Sequence, residues 1–354
     1  MTDPPQLSNS SRQTSQRDVS SRIPAGSAVS RDTAQGDSQP RTAFIFLRWL
    51  AAFLVLALLV HFIPVGPMRN ALARVPLTRF LAVFILYLFV LLIAVAKWRL
   101  VVNAAGAGMN FPASVQCFGS GLFGDLFLPS VIGGDIARLA VGISKSKHPT
   151  ALVTGNVADR IIDAFSQVSL VILGIFLLPG SLPISLQLPA KRVLVFVACV
   201  AAVFLAIAIA LRQPILRGRS LRFRRRLAQL HLALRTLAKR PHLLLLGWVL
   251  GLVVQGSYII LTALLGISCG LVLPIRIWLF AWPLAKIAAV LPITQGGIGV
   301  REAALVALLV PFGAPAALVL ATGIVWEGII IAGGLSAGLV TILLRYYGSN
   351  RTIS

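Results

Sequence analysis

Long apolar runs separated by short polar segments extend over most of the 354-residue chain. A bilayer hydrocarbon core about 30 Å thick requires roughly 20 apolar residues for one helical crossing. By that length we predict an all-α polytopic membrane protein with six full spans, at residues 43–63, 80–98, 149–178, 191–211, 243–266 and 315–344. Residues 1–42 are polar and rich in serine, so we predict a disordered cytoplasmic tail there.

Two further apolar segments, 111–139 and 275–311, are broken by glycine and proline. They contain LPSVIGGDIAR at 128–138 and LPITQGGIGVR at 291–301, which share the pattern L-P-x-x-x-G-G-x-x-x-R. Both flanks of each segment should lie on one side of the membrane, so we predict two re-entrant, broken hairpins. Non-helical backbone at that depth requires a covering of protein or a water-filled cavity.

The recurrence of this pattern indicates an internal repeat. The first membrane repeat, 43–178, has two spans, a hairpin and one long span. The second, 191–345, has the same order after an extracytoplasmic loop at 179–190. Because three full crossings are an odd number, the second copy should be inverted, as in many transporters. The alternative is that the pattern arose twice by chance in sequence rich in glycine and leucine.

Composition and charge favour a membrane protein over a soluble one. Hydrophobic residues make up 57% of the chain and charged residues 12%, with a mean hydropathy of +0.89. Ten of the 32 Lys and Arg lie between Arg212 and Arg240, which predicts a basic amphipathic helix in a cytoplasmic linker, 212–242. The same rule places both termini, the tail 346–354 and the flank with Lys97 and Arg99 on the cytoplasmic side. Binding of nucleic acid is not expected.

Acidic residues of the apolar part are confined to the broken hairpins and the long spans that follow them. They are Asp125, Asp135, Asp159, Asp163, Glu302 and Glu327. Charges inside a bilayer are costly and usually mark a pathway or a paired site. Arg160 can pair with Asp163, and the like charges Asp159 and Asp163 require a further cation, for which Arg138, Lys286 and Arg301 are the candidates. Alternatively, the network only holds helices together.

The paired glycines predict the start of a half-helix in each hairpin, at Gly133-Gly134 and Gly296-Gly297. Free amides at a helix start suit a phosphate or carboxylate, and Arg138 and Arg301 would lie one turn further on. Asp135 would then cap the first half-helix. The alternative is that the glycines only permit tight helix crossing. Cysteine and histidine spacing predicts no metal site, and we expect no cofactor and no catalytic residue.

Three motifs in combination, LPSVIGGDIARLAVG, VADRIIDAF and TQGGIGVREAALVAL, resemble the lysylphosphatidylglycerol synthase transmembrane region, a family of flippase-like membrane domains. The resemblance covers roughly residues 45–345. It implies translocation of a lipid between leaflets. Family members fused to an aminoacyltransferase make an aminoacylated lipid; here the resemblance implies a stand-alone translocator or the membrane partner of a separate lipid-modifying enzyme.

The leading hypothesis is therefore a translocase of a polar or anionic lipid in a bacterial inner membrane, with the headgroup in a midplane cavity. We predict that its substrate-binding residues are Arg138, Asp159, Arg160, Asp163, Lys286, Arg301, Glu302 and Glu327. A membrane-embedded lipid-modifying transferase, or a subunit of one, is one alternative. A secondary transporter of a soluble solute is another. A lateral opening into the bilayer would favour a lipid, and a cavity sealed from lipid a solute.

Overall fold

The computed structural model describes residues 65–128, 131–178, 239–289 and 297–350, with isolated positions at 50, 54, 57, 235, 236 and 294. Within these ranges the chain is helical and contains no strand, which confirms the all-α class. The helices described there are α1 (Val65–Ala73), α2 (Leu77–Ala104), α3 (Phe111–Phe127), α4 (Val131–Lys145), α5 (Pro149–Phe176), α6 (Pro241–Ser268), α7 (Ile275–Ala288), α8 (Val300–Leu309) and α9 (Ala316–Asn350).

Helices α2 and α6, and α9 up to Tyr346, are long and apolar enough to cross a membrane. At 1.5 Å per residue, a 28-residue helix such as α2 is about 42 Å long, more than the hydrocarbon core requires. Helix α5 has the same length but carries three charged residues near its middle. The predicted spans 80–98, 243–266 and 315–344 lie within or largely within α2, α6 and α9.

The chain breaks into shorter helices at both copies of the L-P-x-x-x-G-G pattern. Helix α3 ends at Phe127 and α4 begins at Val131, and these two helices pack closely against each other. Helix α7 ends at Ala288 and α8 begins at Val300, and these also pack together. The breaks agree with the expected hairpins, whereas their entry into the membrane, the count of six spans and the inverted repeat remain predictions.

Small residues bring the helices close together around a shared interior. A Cβ on Gly155 of α5 would lie 2.5 Å from Val102 Cα of α2, and one on Gly174 would lie 2.6 Å from the backbone nitrogen of Phe280 in α7. Helix crossings inside membranes depend on such glycines because lipid provides no hydrophobic force between helices. The resulting interior contains the cavity described below.

Several predicted segments lie wholly or mostly in parts of the chain that the structure does not describe. The tail 1–42, the loop 179–190 and the span 191–211 lie outside the described residues, as do most of the span 43–63 and of the linker 212–242. Helix α9 continues to Asn350, past the predicted start of the C-terminal tail at residue 346.

Candidate functional site

Charged and aromatic side chains surround a cavity of about 240 Å³ between the helices. Every described helix except α1 contributes to its lining. The charged lining residues are Lys97, Arg138, Arg160, Lys286, Arg301, Asp125, Asp159 and Asp163. The aromatic lining residues are Tyr87, Phe118, Tyr258, Trp282 and Trp326. The structure therefore brings together six of the eight predicted site residues along one cavity, with Glu302 and Glu327 directly behind Arg301.

Lys97 holds the two aspartates of α5 together. Its Nζ lies 2.6 Å from Asp163 Oδ1 and 2.8 Å from Asp159 Oδ1. The prediction that Arg138, Lys286 or Arg301 neutralises these aspartates is thus wrong, whereas the cytoplasmic placement of Lys97 remains a prediction. Helix α2 continues to Ala104, so Lys97 lies inside it and is only 2% exposed. Ala94 and Val101, three positions before and four after Lys97, share its helix face and are also buried. This apolar face is the sequence signal that would have placed Lys97 in the protein interior.

Arg160 connects α5 to α4. Its Nε donates to Asp135 Oδ2 at 2.8 Å, and its Nη2 donates to the other oxygen of the same carboxylate. Such a bidentate pair is among the stronger charge-assisted contacts. The expected pair between Arg160 and Asp163 does not form, because Lys97 holds Asp163. Arg138 lies further from Asp135, with 3.8 Å between Nη1 and Oδ1.

Arg301 lies between two glutamates. Its Nε is 3.3 Å from Glu302 Oε1, and its Nη2 contacts Glu327 Oε1 of α9. Glu302 also accepts a hydrogen bond from the Gly299 N–H, with 2.7 Å between Gly299 N and Glu302 Oε2. All three side chains are largely buried. The charge of Arg301 is therefore balanced by the protein itself.

Both helix starts that were expected to receive phosphate already contact a carboxylate of the chain. Asp125 Oδ1 accepts from the Gly134 N–H in the first turn of α4 at 3.1 Å, and Glu302 accepts from Gly299 at the start of α8. Asp135 does not cap α4, because that helix begins at Val131 and places Asp135 beyond its first turn, beside Arg160. Each cap supplies the negative charge that a helix start favours.

The two glycine pairs have different structures. Gly133 and Gly134 lie inside α4 rather than at its turn, and a Cβ on either would lie about 2.5 Å from an atom of Leu128 or Gly121. They allow α3 and α4 to approach closely, in agreement with the tight-crossing interpretation. Gly297 has a φ of +79° and Gly299 one of +84°, so these glycines form the turn before α8. Gly296 lies outside the described residues.

Lys286 differs from the other cations because it meets only neutral partners. Its Nζ donates to Gln255 Oε1 at 2.8 Å and lies 5.0 Å from the centre of the Tyr258 ring. Among the described residues, no carboxylate lies within salt-bridge distance of Lys286. The positive charge of Lys286 is therefore not neutralised at short range.

Arg138 is also incompletely paired. Its guanidinium lies 4.1 Å from the centre of the Phe118 ring and 5.7 Å from that of Trp98. Its Nε is buried and has no hydrogen-bond partner among the residues that the structure describes. Cation–π contacts of this kind stabilise a desolvated cation but satisfy none of its N–H groups.

An aromatic wall, formed by Tyr87, Tyr258, Trp282 and Trp326, lines the cavity beside Lys286. Neighbouring ring centres in the wall are 5.2–5.9 Å apart. The Trp282 indole N–H is buried and has no partner in the described ranges of the chain. The sequence motifs did not predict a role for these residues or for Gln255, although Trp282 lies one turn before Lys286 on the same face of α7.

The cavity approaches the protein surface at Arg160. The Arg160 side chain is 41% exposed, in contrast to 2% for Lys97. The exposed neighbours on α4 and α5 are apolar, with Ile136 61% and Val157 52% exposed. Apolar side chains therefore border this opening, near the middle of α5.

Comparison with known proteins identifies a family. Residues 45–338 match the family model described as the lysylphosphatidylglycerol synthase TM region. Searches among curated proteins and among solved structures gave no significant match. Because the family match covers most of the chain, the protein belongs to this family, as its motifs predicted. It is thus a membrane protein related to lipid handling.

Proposed function

We propose that this member of the lysylphosphatidylglycerol synthase transmembrane region family translocates a polar or anionic lipid between the leaflets of a bacterial inner membrane. The headgroup passes through the charged cavity while the acyl tails remain in the surrounding lipid. The observation that carries this proposal is the cavity itself, with five cationic side chains among helices long enough to span a bilayer.

The energetic problem in lipid translocation is the polar headgroup. A charged group at the centre of a helical span costs at least about 2.5 kcal/mol on insertion scales, and lipid headgroups meet the same apolar barrier. Ionic and hydrogen-bonding side chains in the cavity can replace the water that the headgroup loses. This replacement lowers the barrier for crossing without carrying the tails through polar surroundings.

The apolar border of the opening favours a lipid over a soluble solute. A soluble solute requires an access path lined by water or polar groups, whereas Ile136 and Val157 present apolar surface beside Arg160. A lipid could keep its tails against these side chains while its headgroup reaches Arg160 and Asp135. The headgroup would enter the cavity when Arg160 exchanges its contact with Asp135 for a contact with the headgroup.

Reconstitution into liposomes tests the proposal. A phospholipid with a fluorescent label on one acyl chain is placed in both leaflets, and a membrane-impermeant quencher reports the fraction that becomes accessible. We expect faster exchange than in protein-free liposomes and a clear reduction for Arg160→Gln. Lys145→Gln is the matched control, because Lys145 lies at the exposed end of α4 and does not line the cavity.

The outcome also separates the alternatives. Equal exchange in liposomes with and without the protein, across several headgroups, would contradict translocation. Mass-spectrometric detection of a modified lipid that forms without exchange would instead support an embedded transferase. Uptake of a water-soluble solute without lipid exchange would support a secondary transporter.

A further inference from the structure

Two arginines compete for one carboxylate at the opening of the cavity. Arg160 of α5 uses both oxygens of Asp135, with its Nε at 2.8 Å from Oδ2 and its Nη2 on Oδ1. Arg138 lies one turn after Asp135 on α4, and its Nη1 is 3.8 Å from the same Oδ1. Among the residues that the structure describes, no other carboxylate lies within salt-bridge distance of Arg138. Arg138 is thus a second cation within reach of Asp135.

Neutral groups hold the guanidinium of Arg138 at this distance. It lies 4.1 Å from the centre of the Phe118 ring, and a Cβ on Gly121 would lie 3.1 Å from its Nε. The Nε edge therefore packs against α3 and leaves Nη1 as the nitrogen closest to Asp135. A shift of about 1 Å would bring Nη1 to the distance of a charge-assisted hydrogen bond.

Helix α4 is attached differently to its two neighbours. It packs closely against α3, where the Asp125 carboxylate accepts from the Gly134 N–H at 3.1 Å. Among the described residues, the ion pair that joins α4 to α5 is Arg160–Asp135. Asp135 precedes Lys145, the last residue of α4, by ten positions, which corresponds to about 15 Å of helix. The pair therefore closes the seam between α4 and α5 far from the turn that connects them.

Release of Arg160 would leave Asp135 without a close cation. The Asp135 side chain is only 19% exposed, and a carboxylate that loses its partner in such surroundings is strongly unfavourable. Entry of the headgroup, as proposed above, requires this release and therefore a replacement cation. Arg138 can supply one after a small movement of its side chain.

We propose that Arg138 is a positioning residue of the translocator, which takes over Asp135 when Arg160 pairs with the headgroup. This inference rests on the proposed function and adds the step that opens the cavity. When Asp135 pairs with Arg160, it ties α4 to α5, whereas its pair with Arg138 lies within α4. The handover keeps Asp135 compensated while α3 and α4 separate together from α5. Such an exchange between two discrete arrangements is the kind of element that a ligand can bias.

A double-mutant cycle in an uncharged detergent tests the handover without lipid transport. Arg160→Gln should lower the thermal midpoint slightly, because Arg138 takes over Asp135. Arg138→Gln should also lower it slightly, because Arg160 remains in place. The double variant should lose at least about 2 °C more than the sum of the two single losses, since Asp135 then has neither cation. Additive losses would overturn the proposal.

Asp135→Asn provides the control for this cycle. In its background no carboxylate remains to be handed over, so the substitutions of Arg138 and Arg160 should become additive. The triple variant should also regain part of the stability that the double variant loses, and recovery of folding by the triple variant would support the proposal in the same way. An excess loss that persists in the Asp135→Asn background would overturn the proposal, because the coupling would then lie elsewhere.

Spin labels on both sides of the seam measure its opening. They are attached at Ile136 of α4 and Val157 of α5, which are both exposed, after replacement of the three native cysteines by alanine. Arg160→Gln should lengthen the separation of these labels. Labels at Ile136 and Phe127, which lie on α4 and α3, should keep their separation in the same variant. An unchanged separation between Ile136 and Val157 would overturn the opening step.

The liposome assay connects the handover to transport. Arg138→Gln should slow lipid exchange about tenfold or more, and Arg138→Lys should retain part of the rate because it keeps the charge. Unchanged exchange in Arg138→Gln would overturn the assignment. Non-additive stability without lipid exchange by the wild-type protein would retain the handover and contradict the translocase. Exchange by the wild-type protein with additive stability would retain the translocase and contradict the handover.

Discussion

Two lysines that line the cavity have the same chemical group and different surroundings. Lys97 of α2 is held between Asp159 and Asp163 of α5 at 2.8 and 2.6 Å. Lys286 of α7 contacts the amide oxygen of Gln255 and the face of Tyr258, both on α6. The first lysine is satisfied by the fold, and the second has donors available for a ligand.

The difference separates structural charges from binding charges. Removal of one partner from a buried ion pair leaves an uncompensated charge, so paired cations should contribute strongly to stability. A cation without a close counter-charge contributes little to stability, and such strained or unsatisfied groups are typical of sites that act on a ligand. Substitution of Lys97 should therefore lower stability strongly, whereas substitution of Lys286 should change stability little and impair binding of the ligand.

The largest effect on stability is expected from Lys97→Met. It leaves Asp159 and Asp163 close together without their cation, and we expect the free energy of unfolding to fall by about 3–5 kcal/mol. Chemical unfolding in detergent, followed by tryptophan fluorescence, measures this change. The triple variant Lys97→Met, Asp159→Asn, Asp163→Asn should regain most of the loss. A single variant as stable as wild type would contradict the structural role of Lys97.

Glu327→Gln should have an intermediate effect. The charge-assisted contact with Arg301 is weakened, but Glu302 remains beside Arg301, so we expect a loss of about 1.5–3 kcal/mol. The same unfolding assay applies. If this variant lost more stability than Lys97→Met, the Arg301 cluster would be the main ionic support of the interior.

Lys286→Met should change stability little. The substitution removes a buried cation with no close carboxylate, and the relief of that desolvated charge offsets the loss of its hydrogen bond to Gln255. We therefore expect the free energy of unfolding to stay within about 1 kcal/mol of wild type. Lipid exchange in liposomes should nevertheless fall about tenfold. A loss of stability as large as that of Lys97→Met would remove the distinction between the two lysines.

The sequence predicted those features that depend on local patterns. The helical class, the breaks at both L-P-x-x-x-G-G copies and the family all followed from runs and motifs, and the structure or the family match bears them out. The concentration of acids around Asp159 also indicated where the cavity residues lie. The inverted repeat and the orientation of the chain remain predictions.

Features that depend on distant contacts were missed. The partner of Asp159 and Asp163 is Lys97, more than 60 positions away, and the rule that assigns cations to cytoplasmic flanks pointed elsewhere. Tyr87 and Trp326 meet only after α2 and α9 pack together, and no local spacing predicts such a contact. The two glycine pairs share a sequence pattern yet differ in structure, because α4 begins before its glycines and α8 after them.

The carboxylates that cap α4 and α8 affect how the protein responds to dissolved salt. Asp125 at Gly134 and Glu302 at Gly299 act as built-in counter-ions, so chloride from the medium meets an amide that is already occupied at each of these two positions. Ionic strength should therefore have little influence on the starts of α4 and α8. Competition between halide and cargo would then be concentrated at the ammonium of Lys286 and the guanidinium of Arg138.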